Sequence, residues 1–170
     1  RVTMYKFNDN SGFNINNITS NNLTVYFAIQ FSQLDFDESI IKGNNFQVLI
    51  ENGNLTLEVN GIKKLIGVQT RKLYFLVLSI DNSTSSINLR LDMFEETIEF
   101  NNSSDINSIR IGGVNTENDF FTGRIGNFVI IPRTYSKEVI CNASRLCQIV
   151  EESCSNYTQE NKCNSSSDMS

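Results

Sequence analysis

The chain has 170 residues and a formal net charge of -5. This length favours one domain with a sizeable core, and the acidic balance argues against nucleic acid as a partner, because phosphate binding calls for a basic surface. The absence of histidine excludes catalytic triads with a histidine base and histidine-ligated zinc. Tryptophan is also absent, but 12 Phe and 5 Tyr can still provide stacking surfaces.

The first part of the chain predicts short strands separated by polar turns. Residues 2–7 form a candidate strand, and residues 8–12 form a turn. Apolar side chains alternate strictly with others from Leu23 to Phe31, which is typical of a half-buried strand. Residues 35–38 are acidic and predict a solvated loop. Calcium is an alternative there, but no second acidic cluster or complete calcium-loop motif supports it.

Two Asn-Gly pairs predict a three-stranded meander. Asn52-Gly53 separates two alternating apolar runs, and Asn60-Gly61 precedes a third run at residues 62–66. Asn-Gly is the strongest short hairpin signal, because both central residues of a type I′ turn need a positive φ.

The middle of the chain predicts a pair of central strands. Residues 73–80 are almost continuously apolar, which suits a strand buried on both faces. Residues 81–85 form a turn, and alternation over residues 87–93 predicts a half-exposed strand. Ile98 and Phe100 indicate a further short strand with apolar side chains in the core.

Residues 109–131 contain two more strands joined by a polar loop at 114–119. Gly123 follows an aromatic pair, which suits a place where the backbone passes close to a packed ring. Pro132 is the only proline and ends the second strand, since it cannot donate to a ladder. Helical turns are predicted at residues 135–140 and 144–152.

Four cysteines lie in the last 30 residues and predict two disulfides in an oxidising compartment. Their spacing fits no CxxC zinc pattern, and all three pairings stay open. We therefore divide the chain into a β-sandwich at residues 1–140 and a cysteine-containing tail at 141–170. The cysteines are Cys141, Cys147, Cys154 and Cys163.

Nine asparagines occur in Asn-x-Ser/Thr sequons, against about four expected by chance from the composition. Most fall at predicted turns or strand ends, where a glycan can be accommodated, and they indicate a secreted or cell-surface glycoprotein. No hydrophobic run reaches transmembrane length, so we expect an excised segment of a larger ectodomain with neighbouring domains. The sequon asparagines are Asn17, Asn22, Asn54, Asn82, Asn101, Asn102, Asn142, Asn156 and Asn164.

The end of the predicted sandwich resembles a laminin-G-like domain. The resemblance rests on IRIGG at 109–113, FTGRI at 121–125, VII at 129–131 and YSKEVI at 135–140, in that order. The paired central strands at 73–81 and 86–92 also fit, although the tryptophan that often begins the first of them is missing. The positions expected to build the fold are Gly112, Gly113, Phe121, Gly123 and Ile125.

The resemblance implies a concanavalin A-like jelly roll of two antiparallel sheets. It also implies extracellular adhesion or lectin-like recognition of a protein or glycan, sometimes through a calcium ion at the rim. No calcium ligands match, so we predict no cofactor. The loops at 35–38, 81–85 and 114–119 are the candidate binding sites, because the loops at the rims remain if glycans cover the sheet faces.

Two other functions are weighed against a binding module. A glycoside hydrolase needs two carboxylates about 5–9 Å apart. Glu95 and Glu99 would lie about 13 Å apart along one strand face, which is too far, so we predict no catalysis. A spacer domain of a larger ectodomain is the second alternative, and the sequence does not separate it from a binding module.

Overall fold

A computed structural model describes residues 4–7, 12–18, 20–100, 107–112 and 121–134. Within these ranges the chain forms twelve strands in two six-stranded antiparallel sheets. The predicted all-β sandwich is therefore confirmed. Gly113, the loop at 114–119, the four cysteines, the predicted helical turns and the sequons from Asn101 onward lie outside the described ranges, so the division at residue 140 stays a prediction.

The strand order of each sheet is as follows. Sheet A contains β1 (Met4–Phe7), β12 (Gly123–Ile131), β3 (Leu23–Phe31), β8 (Leu73–Asp81), β9 (Ser86–Leu91) and β10 (Phe94–Glu99). Sheet B contains β2 (Gly12–Ile15), β11 (Ile109–Gly112), β4 (Glu38–Lys42), β5 (Phe46–Glu51), β6 (Asn54–Val59) and β7 (Ile62–Gly67). Within the described part of the chain, no helix is long and apolar enough to cross a membrane.

The core lies between the sheets and is built from alternate residues of each strand. On β3, Val25, Phe27 and Ile29 are fully buried and point toward sheet B. Ile98 is buried and Phe100 packs against the same core, as predicted. Burying a side chain of this size contributes about 1.5–3 kcal/mol, so the interface between the sheets supplies the main stabilisation of the described sandwich.

The predicted meander is confirmed as β5, β6 and β7. Asn52 and Gly53 have φ values of 50° and 80°, and Asn60 and Gly61 have values of 51° and 83°. Both pairs therefore have the positive φ at two central residues that a type I′ turn requires.

Gly123 lies where the backbone passes close to a packed ring, as the sequence predicts. A Cβ at this position would lie 2.2 Å from the carbonyl oxygen of Gln30 and 2.6 Å from Cζ of Phe121. The Phe121 ring is fully buried and packs against Phe7 and Phe31, at centroid distances of 5.8 Å and 6.0 Å. β12 then ends at Ile131, directly before Pro132.

Three sequence predictions are wrong in detail. Glu38 is not part of a solvated loop, because it begins β4 and is 2% exposed. β2 starts at Gly12, where only a turn is predicted. β3 is not half-buried, since Thr24, Tyr26 and Ala28 on its other face are also buried.

Candidate functional site

The outward face of sheet B carries a row of polar side chains across adjacent strands. The strand register places Arg110 beside Lys42, Lys42 beside Gln47, and Gln47 beside Glu58. Their neighbours Ile41, Val48 and Leu57 are fully buried in the core, so this row faces away from it. The pleat of β4, β5 and β6 therefore brings together three polar side chains that are distant in sequence.

Two turns at the same end of the sheet complete the site. Residues 43–45 join β4 to β5, and residues 60–61 join β6 to β7. The amide of Gly43 donates to the carbonyl of Phe46 at 3.0 Å, and the amide of Asn60 donates to the carbonyl of Asn45 at 3.3 Å. The first hydrogen bond closes the turn at residues 43–45, and the second holds the two turns beside each other.

Gly43 and Phe46 explain why the first turn is so close to the sheet. A Cβ on Gly43 would lie 2.2 Å from a carbon of the Phe46 ring. The ring is 7% exposed and belongs to the core. The turn at residues 43–45 is thus packed directly on a core side chain, which fixes its position.

The row and the two turns enclose a concavity of about 270 Å³, here called the polar pocket. This volume lies near the lower end of the range for small-molecule sites, roughly 300–1,000 Å³, and suits a single ring or side chain. The polar pocket is lined by Lys42, Gly43, Asn44, Asn45, Phe46, Gln47, Glu58, Asn60 and Gly61.

The charges at the polar pocket are mixed. Lys63 on β7 lies 2.8 Å from a carboxylate oxygen of Glu51 and 3.6 Å from one of Glu58. The hydrogen bond to Glu51, together with the attraction of both carboxylates, raises the pKa of Lys63. Lys42 provides an ammonium group at the other side of the pocket. The site therefore offers one positive group and one partly neutralised carboxylate.

Four amide side chains give the polar pocket its main chemistry. An Asn or Gln amide carries both donors and an acceptor, and a sugar hydroxyl likewise both donates and accepts. Four amides around a space of single-ring size match a ligand with several adjacent hydroxyl groups. The four are Asn44, Asn45, Gln47 and Asn60.

A second concavity, of about 320 Å³, lies between edge strands β1 and β2 and is here called the aromatic mouth. Tyr5 and Phe13 line it and are 68% and 38% exposed. Phe128 forms its floor, since its ring stands edge-on to Phe13 and is stacked on the buried Phe27. Its lining is mainly apolar, in contrast to the polar pocket.

The described candidate loops do not line the polar pocket. Glu38 is buried, and it accepts hydrogen bonds from the Gln33 side chain at 2.7 Å and the Thr122 amide at 3.2 Å. Burial raises the pKa of the Glu38 carboxyl. The two hydrogen bonds lower this pKa, but by less than burial raises it. Glu38 therefore joins β4 to the start of β12.

The turn at 81–85 is closed by its own hydrogen bonds. Asp81 Oδ1 accepts from the Ser83 hydroxyl, the Ser83 amide and the Thr84 amide at 2.6, 2.9 and 3.4 Å. The hydrogen bonds from Ser83 hold the pKa of Asp81 below its usual value. The carboxylate thus shapes this turn.

Glu95 is held in an ion pair on the outward face of sheet A. Its carboxylate lies 2.6 Å from the Arg90 guanidinium and accepts from Asn88 at 3.3 Å. Thr97, on the same face, accepts from Asn88 at 2.8 Å. The described part of the chain contains no group of three or more Asp, Glu, Cys or His side chains that could hold a metal.

The four described sequon asparagines lie at loops, turns or strand ends. Asn17 is exposed and has a φ of 60°. Asn54 begins β6, and its Nδ2 donates to the Asn52 carbonyl. The Asn82 amide donates to Asn22 Oδ1 at 2.9 Å, so these two sequons are close together.

The sequence carries one signal that could have located the polar pocket. In an antiparallel meander, alternate turns lie at the same end of the sheet. A strand at 38–42 would therefore have placed the polar turns 43–45 and 60–61 side by side. Because the strand at 38–42 was not predicted, the location of the turn at 43–45 in the sheet could not be predicted either. Lys42, Gln47 and Glu58 carry no signal of their own, since isolated polar residues on strands are common.

No protein-family model and no curated protein sequence matches the chain. Solved structures do match it, at low identity. The binding domain of botulinum neurotoxin serotype D has a TM-score of 0.59 and 18% identity, over 81% of this chain and 40% of that chain. The chain thus spans two fifths of that domain.

Two further structures match over most of both chains. The SAP-like pentraxin of Limulus polyphemus has a TM-score of 0.60 and 14% identity, over 82% of this chain and 79% of that chain. The CBM40 of Ruminococcus gnavus IT-sialidase, bound to alpha2,3 sialyllactose, has a TM-score of 0.59 and 12% identity, over 83% of this chain and 97% of that chain. The described residues therefore have the fold of lectin-like, jelly-roll β-sandwiches.

Proposed function

We propose that this chain is a non-catalytic extracellular recognition module that binds a glycan through the polar pocket. The observation that carries the proposal is the convergence of Lys42, Gln47 and Glu58 with two amide-bearing turns around a space of single-ring size. Such a site offers paired donors and acceptors to adjacent hydroxyl groups.

The fold is compatible with this proposal but does not carry it. The Ruminococcus domain is bound to sialyllactose, which is a property of that protein. Fold similarity alone does not transfer a ligand. At a finer level we assign the chain to the laminin-G-like group, on the motif that runs from Ile109 into β12.

Catalysis is not part of the proposal, because Glu58 is the single carboxylate among the residues that line the polar pocket. Glycoside hydrolysis generally uses two carboxylates about 5–9 Å apart. Glu95 is engaged by Arg90 on the other sheet. Extracellular placement rests on the sequons and the clustered cysteines of the sequence.

The test is a glycan array with the isolated chain, followed by titration calorimetry on the strongest ligand. Lys42→Ala and Glu58→Gln each remove a charged hydrogen-bonding group of the pocket. We expect a loss of about 1.5–3 kcal/mol for each, or roughly 10- to 150-fold in Kd. Lys64→Ala and Glu99→Gln are matched controls at exposed positions outside the pocket and should bind as the parent does.

Three results would contradict the proposal. Unchanged affinity in both pocket variants would move the site elsewhere, and Tyr5→Ala would then test the aromatic mouth. No binding to glycans or to a receptor library would favour the spacer function. Turnover of a glycan that is abolished by Glu95→Gln or Glu99→Gln would make the chain an enzyme.

A further inference from the structure

Two aromatic side chains at one edge of the sandwich face its interior but remain in contact with solvent. Tyr5 pairs with Ile125 on β12, and Ile125 belongs to the core. Phe13 pairs with Ile111 on β11, which also belongs to the core. Because paired residues point to the same side of a sheet, Tyr5 and Phe13 are both directed into the space between the sheets. Their exposures of 68% and 38% show that this space is open along β1 and β2.

A β-bulge in β12 shapes the floor of this opening, which is the aromatic mouth. The register of β12 against β3 shifts between Gly126 and Val129, and Asn127 within the shift has a φ of 52°. A bulge of this kind changes the direction of the side chains beside it. The ring of Phe128 lies on the inner side of the sheet, where it stacks on Phe27 at a centroid distance of 5.7 Å. The aromatic mouth therefore ends on core rings, and its volume of about 320 Å³ has room for one large apolar side chain.

The strand that borders the aromatic mouth is an edge strand. Among the described strands, β1 pairs with β12 on one side and with none on the other. The main-chain NH and CO groups on the outer side of an edge strand can pair with an added strand. In such a strand, the residue beside Tyr5 would point its side chain into the aromatic mouth, and its two neighbours would lie on the outward face of sheet A. Because β1 has only 4 residues, few main-chain hydrogen bonds can form, and these side chains must supply most of the affinity.

The outward face of sheet A is positively charged beside β1. Lys6 pairs with Arg124, and both side chains are exposed. The ion pairs of the described residues involve Lys63 and Arg90, and no described carboxylate forms an ion pair with either cation at this edge. Like charges directly opposite each other destabilise a sheet. A negative group beside Lys6 would therefore be attracted to both cations.

We propose that the edge of β1 binds an extended acidic segment of a partner protein by strand addition, with one aromatic side chain of that segment in the aromatic mouth. In an antiparallel pairing, the partner residue opposite Lys6 directly precedes the partner residue opposite Tyr5. The matching segment therefore contains an Asp or Glu followed by a Phe or Tyr. This inference does not rest on glycan binding at the polar pocket, which is lined by residues of sheet B.

A second copy of this chain fits the same edge less well than an acidic segment does. Two copies joined edge to edge through β1 would bring Lys6 and Arg124 of one copy close to the same two residues of the other. This pairing doubles the positive charge at the junction, whereas an acidic side chain reduces it. Charge complementarity thus favours the acidic segment as the occupant.

NMR titration of the full, isotopically labelled chain with defined peptides tests this proposal. The probe is a short peptide of alternating Thr and Val with Glu-Phe at its centre. We expect it to shift the amide signals of Tyr5, Lys6 and Phe13, and a matched Glu-Ala peptide to bind at least about 10-fold more weakly. Main-chain NH groups of a strand alternate in direction, so N-methylation of one central residue should abolish binding and N-methylation of the other should be tolerated.

A charge reversal at Lys6 tests the choice of an acidic partner. Lys6 is exposed, so we expect Lys6→Glu to fold normally, and circular dichroism checks this before each titration. The variant should bind the Glu-Phe peptide about 5-fold more weakly than the parent chain and a Lys-Phe peptide more tightly than the parent chain does. Lys64→Glu is the matched control, because it reverses the same charge at an exposed position of β7 and should bind both peptides as the parent does.

Four results would decide against the proposal. Absence of binding by the Glu-Phe peptide, or shifts confined to the polar pocket, would show that β1 does not take this ligand. Equal binding of both N-methylated peptides would show that the aromatic mouth takes a side chain without strand pairing. Equal affinity for the Glu-Phe and Lys-Phe peptides would remove the acidic partner, and a dimer of the free chain joined through β1 would assign the edge to a second copy. These measurements are separate from the glycan array, so either proposal can fail without the other.

Discussion

Gly123 begins β12 at a position that has no room for a side chain. The space of a Cβ is occupied by the carbonyl oxygen of Gln30 on one side and the Phe121 ring on the other. Neither neighbour is the end of a flexible side chain, because one is backbone and the other is a fully buried ring. Hydrogen bonding between β12 and β3 therefore depends on glycine here.

Gly123→Ala should lower the free energy of unfolding by about 1–3 kcal/mol, the usual cost of overpacking. Gly67→Ala is the matched control, since a Cβ there meets nothing within 4 Å and should change stability by less than about 0.5 kcal/mol. Urea denaturation of both variants measures this difference. Equal midpoints would show that the contacts at Gly123 relax without cost.

Asp92 is a buried carboxyl in the turn between β9 and β10. It is 7% exposed, has a φ of 52° and accepts a hydrogen bond from the Phe75 amide at 2.8 Å. Burial raises the pKa of Asp92, and the Phe75 hydrogen bond and Lys72 offset this only in part. The ionised form is therefore disfavoured by folding.

Asp92→Asn should stabilise the protein at neutral pH. Because the folded-state pKa is raised, the contribution of Asp92 to stability is fully present below the ordinary value of 3.8 and is lost as pH rises through the folded pKa. Asparagine keeps the acceptor and tolerates a positive φ without carrying the charge. The difference in melting temperature between variant and wild type should thus grow with pH from about 3 upward and then level off.

Asp81→Asn is the matched control because the pKa of Asp81 is lowered. Its carboxylate stabilises the folded state above the unfolded pKa and loses that effect as pH falls. Asp81→Asn should therefore be less stable than wild type at neutral pH and approach it in acid. If Asp92→Asn and Asp81→Asn changed stability at neutral pH in the same direction, this account would be refuted.

The strands that the sequence predicts well are those with an undisturbed pattern. β3 and the meander β5–β7 have strict alternation or Asn-Gly turns, and they appear where expected. β4 was missed because the register shifts between Ser39 and Ile41, so its apolar residues do not alternate. β2 has only four residues and lies at a sheet edge, where Phe13 is partly exposed.

The polar pocket was missed for a related reason. It needs the register of β4, β5 and β6, and a register error of one residue exchanges the two faces of a strand. Hydrophobic periodicity predicts which side chains are inside. It does not predict which outward side chains become neighbours across strands, because polar residues on an exposed face carry little pattern.

In the hairpin turn between β6 and β7, the effect of backbone strain on stability can be measured separately from that of side-chain contacts. A Cβ on Gly61 meets nothing within 4 Å, but its φ is 83°. Gly61→Ala should therefore lower the free energy of unfolding by about 1–2 kcal/mol through conformation rather than contact. Gly67→Ala is again the control, because a Cβ there meets no atom within 4 Å and the φ of Gly67 is not positive. If Gly61→Ala denatures at the wild-type urea concentration, the turn adapts without strain.

At the scale of the whole molecule, the outward faces of the two sheets differ in their exposure to solvent. Sheet A is buried on both sides at β3 and β8, while sheet B presents polar side chains outward. The exposed sequon Asn17 follows β2, which is separated from β4 by β11. Because Ile15 pairs with Ile109 and Arg110 pairs with Lys42, Asn17 lies at the same end of sheet B as the turns of the polar pocket.

We expect Asn17 to be occupied when the chain is expressed through a secretory pathway. Asn82 donates its Nδ2 to the Asn21 carbonyl and its amide to Asn22, so we expect lower occupancy at Asn22 and Asn82. Mass spectrometry of glycopeptides from the native host measures each site. Bare asparagine at all nine sequons would remove this support for a secretory route.

The Asn60-Gly61 turn also has a chemical consequence over time. An asparagine followed by glycine cyclises to a succinimide more readily than in other contexts, because glycine has no side chain to obstruct attack by the neighbouring backbone nitrogen. Hydrolysis then gives aspartate or isoaspartate, and the second product adds an atom to the main chain. At Asn60, which lines the polar pocket, this ageing reaction would place a new negative charge beside Glu58. Stored preparations would thus lose the glycan binding that we propose for the pocket while keeping their sheets.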